Sequence, residues 1–179
     1  MRRFVLTYGL ISGGIIIVLG FINTNLWKAG VVNFDNAEII GYASMLIALS
    51  MVFFGIKAFR DRHQGGVVRF GKAFLVGLLI TLVASSVYVA GWEVYWQMDD
   101  ELRRTFMDRY TEHVIEKLRA EGTRDEEIQA RREEMDHMKE LYNVRILRLA
   151  FTLVEILPVG LLVTLVSAAI LRRKEFLPG

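Results

Sequence analysis

Residues 70–92, FGKAFLVGLLITLVASSVYVAGW, decide the fold. The block carries one charge, Lys72, near its start, and no proline. A bilayer core about 30 Å thick takes roughly 20 apolar residues of helix. Hydrocarbon offers the backbone no water, so a block that crosses it has to satisfy its own hydrogen bonds as a helix. Three other blocks meet the same length test: Phe4 to about Ile22, about Ile39 to Phe59, and about Leu149 to Leu171. The expectation is an all-α chain, a four-transmembrane-helix bundle forming one integral membrane domain over residues 1–179, with a helical hairpin between spans three and four.

Composition agrees. Hydrophobic residues make up 53% of the chain and are gathered into these blocks, and the 2 prolines leave long helices uninterrupted. With 0 cysteines, disulfides, thiolate metal sites and a cysteine nucleophile are excluded. The first block also has features of a signal peptide, because Arg2 and Arg3 precede an apolar run. It is long, however, and ends Phe21-Ile22-Asn23-Thr24-Asn25 with no small-x-small cleavage site, so a retained span is expected.

The net charge of +2 conceals strong segregation. Arg2 and Arg3 lead the first span. Lys57, Arg60, Arg62, Arg69 and Lys72 crowd the short loop between spans two and three, and Arg172, Arg173 and Lys174 follow span four. The loop between spans one and two holds only Lys28 against Asp35 and Glu38. Basic residues near span ends mark the cytoplasmic side. Both termini and the 60–70 loop are therefore expected in the cytoplasm. Trp27, Trp92, Tyr95 and Trp96 would lie at the outer interface. Cations beside apolar blocks report topology, so no nucleic-acid partner is expected. The basic edge would attract anionic lipid headgroups.

From Gln97 to Arg148 there are 14 acidic and 11 basic residues. Leu102, Phe106, Tyr110, Val114 and Leu118 recur at helical spacing, as do Ile128, Met135, Met138 and Leu141. Gly122 suits a helix end, and Thr123 with Glu126 matches a capping box. The segment therefore reads as an extracytoplasmic helical hairpin at about 97–148. No glycine or proline lies between Trp92 and Glu121, or between Thr123 and Leu157. The hairpin arms are thus expected to extend spans three and four directly, as an upright stalk. The rival geometry is a hairpin flat on the lipid, but its polar faces carry both charge signs rather than a lysine-rich face.

Lipid is as apolar as leucine, so spans associate through close approach at small residues. Ala73, Gly77, Thr81 and Ser85, each four apart, form the most specific stripe. Gly9 and Gly13 supply another, as do Gly41, Ser44, Ala48 and Gly55, and also Gly160, Thr164 and Ala168.

Glu155 is the candidate intramembrane site, since a carboxylate within a span is costly and should face the bundle, be paired or be protonated; the plainer reading is a structural acid near the outer interface. Pro158 removes a backbone donor and crowds the carbonyl of Val154. An acid beside broken backbone is how some transporters hold ions. Glu93, between Trp92 and Tyr95, could share an outward-facing polar pocket with Glu155, with Arg145 or Arg148 as counter-ions. Glu134-x-x-His137 is half of a carboxylate-bridged metal motif and lacks the second half. No P-loop, Gly-x-Ser-x-Gly or His-Glu-x-x-His occurs. No catalytic residue, metal or cofactor is expected.

Several stretches carry a family resemblance: Ile40-Gly41-Tyr42-Ala43-Ser44-Met45-Leu46-Ile47-Ala48-Leu49-Ser50 running on to Phe53-Phe54-Gly55-Ile56-Lys57, Phe70-Gly71-Lys72-Ala73-Phe74 with Gly77-Leu78-Leu79-Ile80, Val87-Tyr88 with Trp92-Glu93, and Glu155-Ile156-Leu157-Pro158-Val159-Gly160-Leu161. Through them nearly the whole chain resembles the bacterial four-span membrane proteins known as domain of unknown function 4199. The resemblance implies membrane class and no activity. Similar members often place a proline after the hairpin asparagine. This chain has Asn143-Val144, which favours an unbroken helix into span four.

Two functions compete. One is a non-enzymatic scaffold or accessory subunit, acting through its hairpin and spans on a membrane-protein partner or a second copy of itself. The other is a small oligomeric ion- or proton-coupled transporter using Glu155. A membrane-embedded enzyme would need more polar residues converging at one depth than Glu93 and Glu155 provide.

Overall fold

The computed structural model describes residues 1–172, apart from the side chains of residues 34 and 35. Arg173, Lys174 and the side chain of Asp35 thus lie outside the described residues. Among the described residues six helices follow one another: α1 (Arg2–Lys28), α2 (Phe34–His63), α3 (Phe70–Met98), α4 (Asp100–Ala120), α5 (Asp125–Asn143) and α6 (Arg145–Leu171). Among the described residues there is no strand. α1, α2, α3 and α6 are the four helices long and apolar enough to cross a membrane. Each contains one of the apolar blocks and runs past it in polar turns.

The chain divides into two compact units, Met1–Ala90 with Leu153 onward, and Gly91–Thr152. In the first unit, helices meet where a side chain is missing. A Cβ on Gly9 would fall 2.6 Å from Val83 Cβ, and one on Gly13 2.5 Å from Val87 Cβ, so α1 seats directly on α3. Gly55 of α2 takes Ile80 of α3 in the same way. Gly77 of α3 faces Thr164 of α6, and Gly160 faces Thr81, which makes α3 and α6 antiparallel. Polar groups at these seams find one another. Ser12 Oγ donates to the Ala48 carbonyl at 2.7 Å, and Asn23 Nδ2 to Ser44 Oγ at 3.0 Å. The Thr81 and Thr164 hydroxyls lie 3.0 Å apart, with the Gly160 carbonyl 3.4 Å from Thr81 Oγ1.

The second unit contains the hairpin. α4 and α5 run antiparallel, with Lys139 paired to Asp108 across them. Between them the chain closes in a Schellman turn. The Thr123 N–H reaches the Leu118 carbonyl (3.0 Å) and the Gly122 N–H reaches that of Arg119 (3.1 Å), with Gly122 at φ +76°. The capping box does not form: Arg124, not Thr123, precedes α5, and no side chain caps it. The buried stripe of α4 is Leu102, Met107, Thr111 and Ile115, while Tyr110 is exposed. A strict four-residue step drifts around a 3.6-residue helix, which is why the stripe leaves the Tyr110 face.

The hairpin arms are not unbroken extensions of the spans. Asp99 is extended (φ −112°, ψ 92°), and its carboxylate accepts the Leu102 N–H at 2.9 Å, starting α4 as a new helix. Val144 (φ −76°, ψ 114°) separates α5 from α6. That φ is close to the one a proline ring enforces. The break is therefore present here although the residue is valine.

The close approach at Gly13 yields a contrast with its neighbour. Gly13→Ala should destabilise the protein by about 1–3 kcal/mol through overpacking against Val87. Gly14→Ala meets nothing within 4 Å and should be neutral or slightly stabilising. Thermal unfolding of the two variants in detergent measures the difference.

Candidate functional site

The densest polar cluster lies in the second unit, where the last turns of α3 meet the first turns of α6. Trp92, Glu93, Trp96 and Gln97 occupy one side of α3 through three- and four-residue spacing. Arg145 and Arg148, three apart, do the same on α6. Glu93 is 4% exposed and Arg148 5%. The Arg148 fork grips the carboxylate through Nη2 to Oε2 (2.9 Å), Nε to Oε2 (3.0 Å) and Nη2 to Oε1 (3.1 Å). Arg145 Nε adds a contact to Oε1 at 3.0 Å, and Gln97 Nε2 donates to Oε1 at 2.6 Å.

The remaining arm of the guanidinium has its own acceptor. Arg148 Nη1 donates to the Tyr142 carbonyl at 2.9 Å. That carbonyl sits in the last turn of α5, where helix carbonyls lose their intrahelical partners. Val144 ends α5 and thereby frees the group that Arg148 takes.

Aromatic rings close the site. Arg148 lies 5.1 Å over the Trp96 ring, within cation–π distance. Trp96 meets Phe106 of α4 edge-on at 6.1 Å and Tyr142 of α5 at 5.2 Å. Trp92 Nε1 donates to the Tyr142 hydroxyl at 3.0 Å. All four helices of the unit thus contribute to one buried cluster. Chemically, it is a clamp. The carboxylate is occupied by donors from Arg145, Arg148 and Gln97.

Glu93, Arg145 and Arg148 were legible as an acid and its counter-ions. Trp96, Gln97, Phe106 and Tyr142 were not assigned to the cluster. The usable signals were the i, i+4 spacing of Glu93 and Gln97, and an aromatic residue in the last turn of α5.

Glu155 belongs to the first unit and Glu93 to the second. It is exposed on α6, between the likewise exposed Val154 (67%) and Pro158. Of the alternatives for this acid, the bundle-facing one is not what α6 adopts: its buried face is filled by Ile156, Gly160, Thr164 and Ala168. Ala73, Gly77, Thr81 and Ser85 all lie on the buried face of α3. Ser85 Oγ is enclosed there with no hydrogen-bond partner among the described residues. Glu134 is engaged by Arg131 at 2.5 Å, while His137 Nδ1 stands 3.9 Å from Glu140, so the Glu134-x-x-His137 pair does not converge. Among the described residues no three His, Asp or Glu side chains gather to hold a metal. Lys57, Arg62, Arg69 and Lys72 are exposed and Arg60 half-buried.

Residues 7–173 match the family model described as Protein of unknown function (DUF4199). The chain belongs to that family. No curated protein and no solved structure matches this DUF4199 member. The match takes in both ends of the clamp, the hairpin, α2, α3 and α6, and α1 from residue 7 onward.

Removing one partner of a buried ion pair strands the other charge. Arg148→Ala should cost about 3–5 kcal/mol, whereas Arg145→Ala, at a side chain 69% exposed, should cost under about 1 kcal/mol. Unfolding in detergent followed by Trp92 and Trp96 fluorescence separates the two, and equal losses would contradict the clamp.

Proposed function

We propose that this DUF4199 member is a non-enzymatic membrane component, a scaffold or accessory subunit, that presents its α4–α5 hairpin to a protein partner. The observation that carries the reading is the saturated clamp. Two buried charges and four aromatic rings are committed to holding two hairpin helices against the ends of α3 and α6. None of that machinery is left free to bind or transform a small molecule. What the hairpin leaves open is a surface charged in both signs, with Glu112, Glu116, Arg119, Glu133 and Asp136 all exposed. Such mixed charge favours a specific protein partner by complementarity.

Transport through Glu155 finds less support. Its side chain is exposed on α6, so a path that used it would have to form between copies.

Orientation is part of the proposal. The end of the first unit that holds Phe4, Phe59 and His63 in mutual contact also carries Arg2, Arg3, Lys57, Arg60, Arg62, Arg69 and Lys72. Asp61 is the one acid between Glu38 and Glu93, and it pairs with Arg60. The positive-inside rule places this end in the cytoplasm and the hairpin on the opposite side.

Two experiments test the reading. The chain has no cysteine, so single cysteines report cleanly. Lys117→Cys should react with a membrane-impermeant maleimide in intact cells, and Gly65→Cys only after permeabilisation. The reverse pattern would overturn the orientation. A photo-crosslinking residue at Glu116 or Glu133 of the full-length protein in cells should give one discrete adduct, absent when it replaces the membrane-facing Leu162. Absence of any adduct from the hairpin would remove the scaffold reading.

A further inference from the structure

We propose that the loop between α2 and α3 forms a headgroup site for an anionic phospholipid of the membrane the protein spans. The loop leaves an open depression of about 510 Å³ lined by Gln64, Val67, Val68, Arg69, Gly71 and Lys72. That volume falls within the roughly 300–1,000 Å³ of ordinary ligand sites. Two cations face it, and neither is neutralised. Arg69 has no ion-pair partner among the described residues, and Lys72 Nζ rests on the neutral amide oxygen of Gln64 at 2.9 Å. Asp61 is held by Arg60 at 2.6 Å, and it is the one acid between Glu38 and Glu93.

Chemistry and position then select the ligand. A guanidinium fork and an ammonium together suit a phosphate, the first by bidentate geometry and the second as a point charge. The depression lies at the end of four membrane-crossing helices, where a bilayer presents its phosphates. From its rim an apolar lane runs along α3. Gly71 lines the depression with open space at its Cβ position, and Leu75 and Leu82 are 45% and 42% exposed. Residues four and eleven further on share the Gly71 face of a 3.6-residue helix, so an acyl chain descending from a bound headgroup would follow them.

Native mass spectrometry of the full-length protein tests this. Released from detergent containing equal phosphatidylglycerol and phosphatidylcholine of the same acyl chains, the wild type should retain a phosphatidylglycerol adduct several-fold more often. Arg69→Gln with Lys72→Gln should bring that ratio close to one. The charge-matched pair Lys57→Gln with Arg62→Gln, whose side chains do not line the depression, should leave it unchanged. Equal loss in both double variants would mean diffuse charge and overturn the site. No lipid preference in the wild type would overturn it without recourse to any variant. Adding millimolar glycerol 3-phosphate separates the sources: an undisturbed adduct supports the lipid, and displacement of the adduct assigns the pocket to a soluble phosphate ester and overturns it. Matching thermal unfolding of the two double variants confirms that the comparison is between folded proteins.

Discussion

Hydrocarbon satisfies no polar group of the spans, so the chain itself partners those at its seams, with Ser85 Oγ the exception among the described residues. That constraint shapes every seam in the first unit. Lipid gives helices no hydrophobic reason to associate, so contact comes from missing side chains at Gly9, Gly13, Gly55, Gly77 and Gly160. Once backbones lie that close, a short hydroxyl can cross the seam. Thr81 reaches both Thr164 and the Gly160 carbonyl because Gly160 carries no side chain to stand in the way.

The clamp of the second unit solves the same problem with larger groups. A helix break at Val144 creates an unsatisfied carbonyl at Tyr142, and a break at Asp99 creates unsatisfied N–H groups at the start of α4. Arg148 answers the first and the Asp99 carboxylate the second. A buried ion pair is a poor source of net stability, since desolvation offsets much of the attraction. Its value here is geometric. A fork gripping a carboxylate at 2.9–3.1 Å tolerates little rotation of α3 against α6 within the unit. The same guanidinium also touches α5, so three helices are set by one side chain.

Sequence periodicity reveals the features that lipid dictates and misses those that single residues decide. The four spans were legible because apolar blocks of that length have no other stable use. The Ala73, Gly77, Thr81 and Ser85 stripe was legible because small residues recurring near the helical period let a neighbouring helix approach closely. The two helix breaks were not, since neither contains glycine or proline. At Asp99 the signal lay in side-chain chemistry, an aspartate followed by the acidic first turn of Asp100 and Glu101. At Val144 nothing local announces the break, and tertiary satisfaction of the Tyr142 carbonyl by Arg148 accompanies it. Glu93 and its arginines could be paired from sequence by depth, but the aromatic enclosure depends on how α4 and α5 fold back, which spacing alone does not give.

Glu155 shows that an argument from cost leaves a choice open. An acid in an apolar block is expensive at the centre of a bilayer, and it can face the bundle, find a partner or stay near an interface. Its position along α6 weakens the premise. It stands ten residues after Arg145 in a helix of 27, about 15 Å from the start at 1.5 Å per residue. Side chains on a helix lean toward its N-terminus, which for α6 is the polar end marked by Arg145 and Arg148. A carboxylate leaning that way along an exposed face can approach water without entering the bundle. The buried face of α6 is meanwhile claimed by Gly160, Thr164 and Ala168, where any larger or charged side chain would force α3 away. Close packing at small residues therefore decides the outcome: it leaves no room inside for Glu155, and the outer surface is the place the helix has left for it.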